Sequence, residues 1–446
     1  MKEFDKIPDV SIVKFLRHSL DILKNPLPFH LRNFREKGDT FRLHIGPGKS
    51  VIFSRDAGFA EYVLQKNQKN YIKSEIQTKD LSKYVGSGLL TSSGEHWRKQ
   101  RKLIQPAFHK KQLAALMTSI REAILTEYKR IEPGKAIDVF PIFNDLAFQT
   151  VVKSLFSSAA SSTEINRLQY ITEAAQKMLV KELRQPYLGW WFKVSGKITD
   201  HVALTNEARE ILKRIVQERR ASKQPQGDLL DMLLEARYDD GNNMDDEQLI
   251  DEILILFTAG HETTSNALSF ISQLLALHPD WQEQIASEYE KLKQSAEGDL
   301  MKMVTSAKIT QMVIEEGMRL YPPAYFIDRV NLEKDEFGGK VFPKNSNLLF
   351  SIYEIHRHPA LWEEPEKFKP ERFKDGQANT YSSQYFPFGA GPRKCIGNNF
   401  AMFEMILAVM ELVSNYKIES ISGKIEIKPL ITLKPKNAIL RFIPRN

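Results

Sequence analysis

Phe388-Gly389-Ala390-Gly391-Pro392-Arg393-Lys394-Cys395-Ile396-Gly397 decides how this chain is read. It holds the only cysteine among the 446 residues. A lone cysteine is most often a small buried hydrophobe. Three glycines around this one point elsewhere. Gly389, Gly391 and Gly397 let the backbone turn tightly and approach a flat object closely. Backbone N–H groups left free by such turns can face the sulfur and stabilise a thiolate. A thiolate is one of the protein ligands that hold haem iron, where it pushes electron density toward O–O cleavage.

Working outward, three further stretches carry chemistry. Asp245 to His278 has a long helical pattern, roughly 50 Å at about 1.5 Å per residue. Asp245 and Gln248 are spaced as a capping box, and Pro279 suits the first turn of a following helix. Ile253 to Phe257 is apolar all round, which predicts a buried middle. Into that middle the chain puts Ala259-Gly260-His261-Glu262-Thr263-Thr264, poor mid-helix residues with a carboxylate that is costly to bury unpaired. One reading is a polar patch satisfied by its neighbours; the other is a hydroxyl and a gated carboxylate that carry protons. Glu316 and Arg319 stand at i, i+3 on a helix, by itself a common surface pair, followed by Leu320-Tyr321-Pro322-Pro323. Trp97 and Arg101, at i, i+4 in a helix that opens at Glu95, are donors suited to a carboxylate. Taken alone, such a pair is most often a stacked surface contact.

The spacing Phe388-x-x-Gly391-x-Arg393-x-Cys395-x-Gly397 resembles the haem-binding signature of the cytochrome P-450 family. Ala259 to Thr264, Glu316-x-x-Arg319 with the later Pro370-Glu371-Arg372-Phe373, and Trp97-x-x-x-Arg101 match further motifs of that family, in its order. The resemblance implies a mainly α fold with small β-sheets (α+β). It implies a single domain over residues 1–446, with a β-rich part at about 38–70 and C-terminal strands, and a long central helix over haem. Haem b would be held by Cys395 as the metal ligand, with Phe388, Gly389 and Gly397 around the sulfur. Trp97, Arg101, Arg329 and Arg393 would bind its propionates, and Ala259 would face it. The long helix would be locally distorted to admit O2. Thr263 would hold O2 and water by hydrogen bonds, and Glu262 would relay protons inward. Glu316, Arg319 and Arg372 would form a buried structural cluster. Tyr84, Val85, Leu90, Phe257, Ala324, Tyr325 and Thr432 would line the substrate pocket, under a mobile roof formed by Met178 to Trp191.

Composition bounds the rest. With 42% hydrophobic and 27% charged residues the chain is ordinary globular protein. One cysteine excludes an internal disulfide, a cysteine-rich zinc site and a four-cysteine iron–sulfur cluster, and suits a reducing, cytoplasmic compartment. No apolar run reaches about 18 residues, so no membrane anchor is expected. The net charge of +7 is dispersed and no nucleic-acid motif accompanies it. Arg98, Lys99, Lys102, Lys110, Lys111 and Lys394 are read either as a patch for an acidic electron donor or as plain solvated surface.

Along the chain, Val10 to Leu23 predicts a helix, with Pro26 and Pro28 as breakers and a second short helix at Leu31 to Glu36. Thr40 to Ile45 and Ser50 to Ser54 alternate and predict a hairpin turning at Gly46-Pro47-Gly48. Ala57 to Gln68 predicts a short helix and Tyr71 to Gly94 a long irregular loop, of the kind that often serves as a lid. Residues 113–240 predict a run of helices, broken near Pro186 and Gly189. Trp190 and Trp191 are read as packed core. Ala324 to Val330 predicts a strand with Tyr325, Ile327 and Arg329 on one side. Phe400 to Leu412 predicts a helix, and Ile425 to Phe442 predicts strands.

The first functional expectation is a haem-thiolate monooxygenase that hydroxylates or O-demethylates a small organic substrate: a fatty acid, terpenoid, steroid or methylated sugar. Its electrons would come from a separate ferredoxin or flavodoxin through a reductase using NAD(P)H, since about 50 residues follow the cysteine and leave no room for a fused flavin reductase. The alternatives are a peroxygenase or isomerase on the same fold, which Glu262 and Thr263 together argue against, and a non-catalytic haem sensor.

Overall fold

Thr40–Gly46 pairs antiparallel with Lys49–Ser54, Phe41 opposite Phe53, with a bulge between His44 and Gly46. This is the predicted hairpin. Pro47 in its turn lies outside the described residues: the computed structural model describes residues 6–46, 48–157, 160–185, 188–222, 224–376 and 382–445. The hairpin sits in a six-stranded sheet ordered Asp9–Val10, Thr40–Gly46, Lys49–Ser54, Asn347–Ser351, Phe326–Asn331, Tyr71–Ile72. Side chains alternate across it as the strand period requires. Phe53 and Leu349 join Phe34 and Phe41 on one face, while Ile52 and Phe350 join Phe59, Val63 and Phe342 on the other. The sheet belongs to a compact unit made of residues 1–74, 311–395 and 423–437.

Two local expectations in this unit are corrected. The single helix over Val10 to Leu23 is a strand, Asp9–Val10, then two short helices, Ile12–Arg17 and Ser19–Lys24. Parallel pairing of Asp9 and Val10 with Arg42 and Leu43 draws the first residues into the sheet. The second helix runs Leu27–Lys37, because Pro28 occupies its first turn, where proline is tolerated, and does not break it. Gly38, at φ 87°, ends it.

The second unit, residues 75–310, 396–422 and 438–446, is mostly helical. Its longest element is the helix Asp246–Leu277, 32 residues, largely buried. Asp245 caps it by accepting from the Gln248 N–H at 2.7 Å. The expected box is half formed: the Gln248 side chain donates to the Ser87 carbonyl and to Glu252 instead. The helix Phe140–Phe156 lies against it at Gly260, where an added Cβ would stand 3.0 Å from Val151. Phe257 is packed between Phe148 and Phe156, ring centroids 5.5 and 5.9 Å away. The helix Asn398–Asn415 follows Gly397.

The loop expected over Tyr71 to Gly94 contains helical turns at Ile76–Leu81 and Ser82–Val85. The predicted break falls between the helices Ser162–Arg184 and Gly189–Val194, with Pro186 and Tyr187 outside the described residues. Trp190 and Trp191 are not core: they are 65% and 45% exposed, and Phe192 takes the buried position. Among the described residues no helix is long and apolar enough to cross a membrane.

Candidate active site

Cys395 is exposed, so the small-buried-hydrophobe reading does not hold. The loop before it is shaped by two left-handed residues, Gly389 at φ 70° and Gly391 at φ 66°. Any side chain at Gly391 would overlap the Leu64 carbonyl oxygen, so close backbone approach as well as φ demands glycine there. The Cys395 N–H donates to the Phe388 carbonyl at 2.9 Å, and Lys394 N–H to Gly391 at 3.0 Å, closing the turn. Phe388 is half-buried. Gly397, in the second unit, accepts from the Ala401 N–H at 2.9 Å and lies against Phe108.

Cations gather in the first unit. Arg329 faces Leu348 across the sheet and is buried, its guanidinium donating to the Asp328 carbonyl at 2.6 Å. Burial pushes that guanidinium below its ordinary value, with the Asp328 carboxylate opposing. Lys73 joins it. Burial, then Arg329 and Arg393, push the Lys73 amine down to about 7, again against Asp328. A pair of carboxylates would offset this crowding of positive charge. Sequence reading missed Lys73 because only the pairing of Ile72 with Val330 brings it beside Arg329.

The same unit joins the segment around Ala324 to the tail. Leu433 N–H donates to the Pro323 carbonyl at 2.9 Å, and the Tyr325 hydroxyl to the Leu430 carbonyl at 2.6 Å. Ala324 is exposed, Thr432 half-buried and Tyr325 buried. The Glu316 cluster forms as expected in its geometry. Arg319 donates to both Glu316 oxygens, at 2.7 and 2.8 Å, and both residues are fully buried. Arg372 stands 3.4 Å from Glu316. Arg319 also donates to the carbonyls of His356, Pro365 and Lys367, tying the chain toward the cysteine loop.

In the second unit the long helix is buried from Glu252 to Ala276 except at Leu256, Thr258, Ala259, Gly260 and Thr263. Leu256, Ala259, Gly260 and Thr263 recur at i, i+3, i+4 and i+7, one accessible stripe, with Thr258 half-buried away from it. Glu262 is buried at the stripe's edge. The Thr263 hydroxyl donates to the Ala259 carbonyl at 2.7 Å. Helical hydrogen bonding is unbroken through this segment, so the distortion expected there is no more than this side-chain back-bond, of the kind that bends helices. Trp97 is buried on the helix Gly94–Ile104, and Arg101, half-buried, donates to Gln105 at 3.1 Å.

Three pocket expectations change. Phe257 belongs to the helix–helix core described above. The Tyr84 hydroxyl is engaged by the Glu182 carboxylate, which also takes the Lys83 amine. Val85 is buried, whereas Leu90 keeps partial access.

Residues 10–442 match the sequence profile described as Cytochrome P-450. The chain belongs to the cytochrome P-450 family. Among its relatives, cyclooctat-9-en-7-ol 5-monooxygenase of Streptomyces melanosporofaciens is 29% identical over 414 residues, covering 92% of this chain and 89% of that protein. Pentalenene oxygenase of Streptomyces avermitilis is 25% identical over 439 residues, covering 97% and 96%. The crystal structure of the cytochrome P-450DA heme domain shares the fold, with a TM-score of 0.87 at 23% identity over 99% of this chain and 98% of that one. This P-450 is therefore an oxidoreductase of the monooxygenase type that uses haem iron and O2. Its residues fit the cofactor: an exposed sulfur on a glycine-shaped loop, and a buried Arg329 with half-buried Lys73 and Arg393 that two propionates would neutralise.

Proposed function

We propose that this protein inserts one oxygen atom from O2 into a C–H bond of a cyclic, terpenoid-like hydrocarbon, with Cys395 as the thiolate ligand of haem b. The observation that carries the reading is Cys395 itself, exposed on a loop whose backbone admits only glycine at position 391. Bound haem supplies the activation of O2 and the oxygen insertion. The chain does the rest. Phe388 keeps water from the sulfur. Trp97, Arg101, Arg329, Arg393 and, as an addition, Lys73 hold the propionates. The Thr263 hydroxyl, on the accessible stripe, would hold O2 and water by hydrogen bonds, and Glu262 would relay protons inward from solvent. The terpenoid class is supported by the names of the bacterial relatives and by the apolar stripe of Leu256 and Ala259. Ala324, Leu90 and Thr432 are the remaining accessible pocket residues. Electrons come from a ferredoxin or flavodoxin and its reductase, drawing on NAD(P)H in the cytoplasm, and the exposed Arg98, Lys99, Lys110 and Lys111 suit an acidic donor.

Incubation with a surrogate ferredoxin system, a terpene panel and isotopically labelled O2 tests this: one labelled atom per product is expected, and products lacking label would refute it. Thr263→Ala should keep consuming O2 while releasing peroxide instead of product. Glu262→Gln should slow product formation by about a hundredfold or more. Unchanged coupling in Thr263→Ala would refute the proton role.

Lys73 gives a pH signature. Burial, with Arg329 and Arg393 outweighing Asp328, holds its amine at about 7, and a propionate beside it would raise that value. The haem-bound form then holds the proton more tightly, so haem affinity is greatest below pH 7 and declines as pH rises above it. Haem transfer to a scavenger protein should therefore quicken above pH 7, and Lys73→Met should flatten the profile. An identical slope in Lys73→Met would remove Lys73 from the propionate set.

A further inference from the structure

The long helix does more than present Thr263. Near its start, Asp251 and Glu252 reach out to the turn Gly86–Ser92. Asp251 accepts the Ser87 N–H at 2.7 Å and is itself held by Arg209, which also binds Glu247. Glu252 accepts the Leu89 N–H at 3.0 Å. Gln248 bridges the two sides, donating to the Ser87 carbonyl at 2.9 Å and to Glu252 at 3.1 Å. The fit is close enough to dictate sequence. A Cβ on Gly88 would stand 2.6 Å from the Glu252 carboxyl carbon, and one on Gly86 would overlap Asp251. The turn is tied internally by Thr91, whose hydroxyl donates to the Gly86 carbonyl at 2.8 Å and accepts from the Gly88 N–H at 3.1 Å. Just before it, Lys83 and Tyr84 are anchored to Glu182.

Glu252 lies seven residues before Ala259 and eleven before Thr263, and these spacings return to the same helix face. The accessible stripe therefore ends, about two turns toward the N-terminus, at the carboxylate that grips Leu89. Burying that carboxylate is costly unless it is bonded, and burial pushes it up to about 7. The bond it accepts from the turn comes from the Leu89 N–H.

We infer that Glu252, supported by Asp251 and Gln248, is a positioning residue that sets substrate size and specificity by fixing the Leu89–Leu90 turn at the end of the Ala259–Thr263 stripe. This rests on the proposed haem site. Without the Glu252 carboxylate the Leu89 N–H loses its acceptor, and the turn loses its seat with it.

Two haem-coordinating azoles of different size test the inference on the holoenzyme. Imidazole is the smaller probe, and the added ring of 4-phenylimidazole makes the larger demand on the proposed pocket. In Glu252→Ala the affinity for 4-phenylimidazole should shift by about tenfold or more, a change of about 1.4 kcal/mol, while imidazole affinity moves far less. Glu252→Gln keeps an oxygen for the Leu89 N–H and should restore the wild-type ratio. Gln248→Ala, a milder change useful if Glu252→Ala does not fold, should shift the ratio in the same direction. Faster hydrogen exchange at the Leu89 amide in these alanine variants would support the mechanism. An unchanged azole ratio in a folded Glu252→Ala, or in Gln248→Ala, would overturn it. Failure of either azole to bind the wild type would instead overturn the haem-site reading, and this inference with it.

Discussion

Cys395→Ser is expected to leave a folded protein that forms no product. The residue is exposed, and its backbone N–H donates to the Phe388 carbonyl whichever side chain it carries. The loop takes its shape from Gly389 and Gly391, which the substitution does not touch. Melting temperature should therefore hardly change. What changes is ionisation. A cysteine thiol titrates at about 8.5 and is easily held as thiolate by nearby N–H groups or a metal, whereas a serine hydroxyl is not deprotonated in this range. Without a thiolate the push toward O–O cleavage is gone. Product formation should fall below detection in the surrogate ferredoxin assay, together with the thermal-shift control. Retained turnover in Cys395→Ser would contradict the ligand assignment. Gly391→Ala should behave in the opposite way, losing haem because the loop itself cannot close against Leu64.

Arg319→Ala is expected to prevent accumulation of folded protein. Glu316 is fully buried and accepts from Arg319 and from the Lys369 N–H at 2.8 Å. Removing the guanidinium leaves a carboxylate without its main counter-charge, at a cost of about 3–5 kcal/mol. It also strips donors from the carbonyls of His356, Pro365 and Lys367. Against a typical stability of about 5–15 kcal/mol, that loss empties the native state or brings it close. Arg319→Lys should rescue little, since an ammonium lacks the planar fork that meets both Glu316 oxygens and the three carbonyls together. Soluble yield and urea midpoint measure this. A normal midpoint in Arg319→Ala would show that the cluster is dispensable.

Much of the fold was legible where the relevant physics is local in sequence. The Thr40–Ser54 hairpin follows from alternation and a glycine turn, and the long helix from a capped apolar pattern. The loop before Cys395 was legible because glycine is a statement about backbone conformation. Contacts between distant segments were not. Nothing near Lys73 announces Arg329, because the sheet pairing that joins them spans more than 250 residues. Gly86 and Gly88 read as loop flexibility, yet they are glycines because Asp251 and Glu252 press against them. The resemblance put Tyr84 in the pocket lining, and only tertiary structure supplies the Glu182 that takes its hydroxyl. Phe257 failed for a related reason: an all-apolar helix segment does not reveal which side chain meets a neighbouring helix and which stays open. The extra reach of the helix at Leu27 came from proline's double meaning as breaker and first-turn residue.

The most direct test of the account is the ferrous–carbon monoxide absorption spectrum of the purified wild-type protein, expressed with ample haem supply. Thiolate ligation by Cys395 predicts the strongly red-shifted band that thiolate-ligated haem gives, absent from Cys395→Ser measured beside it. A colourless protein, or a band of the kind imidazole-ligated haem gives, would contradict it.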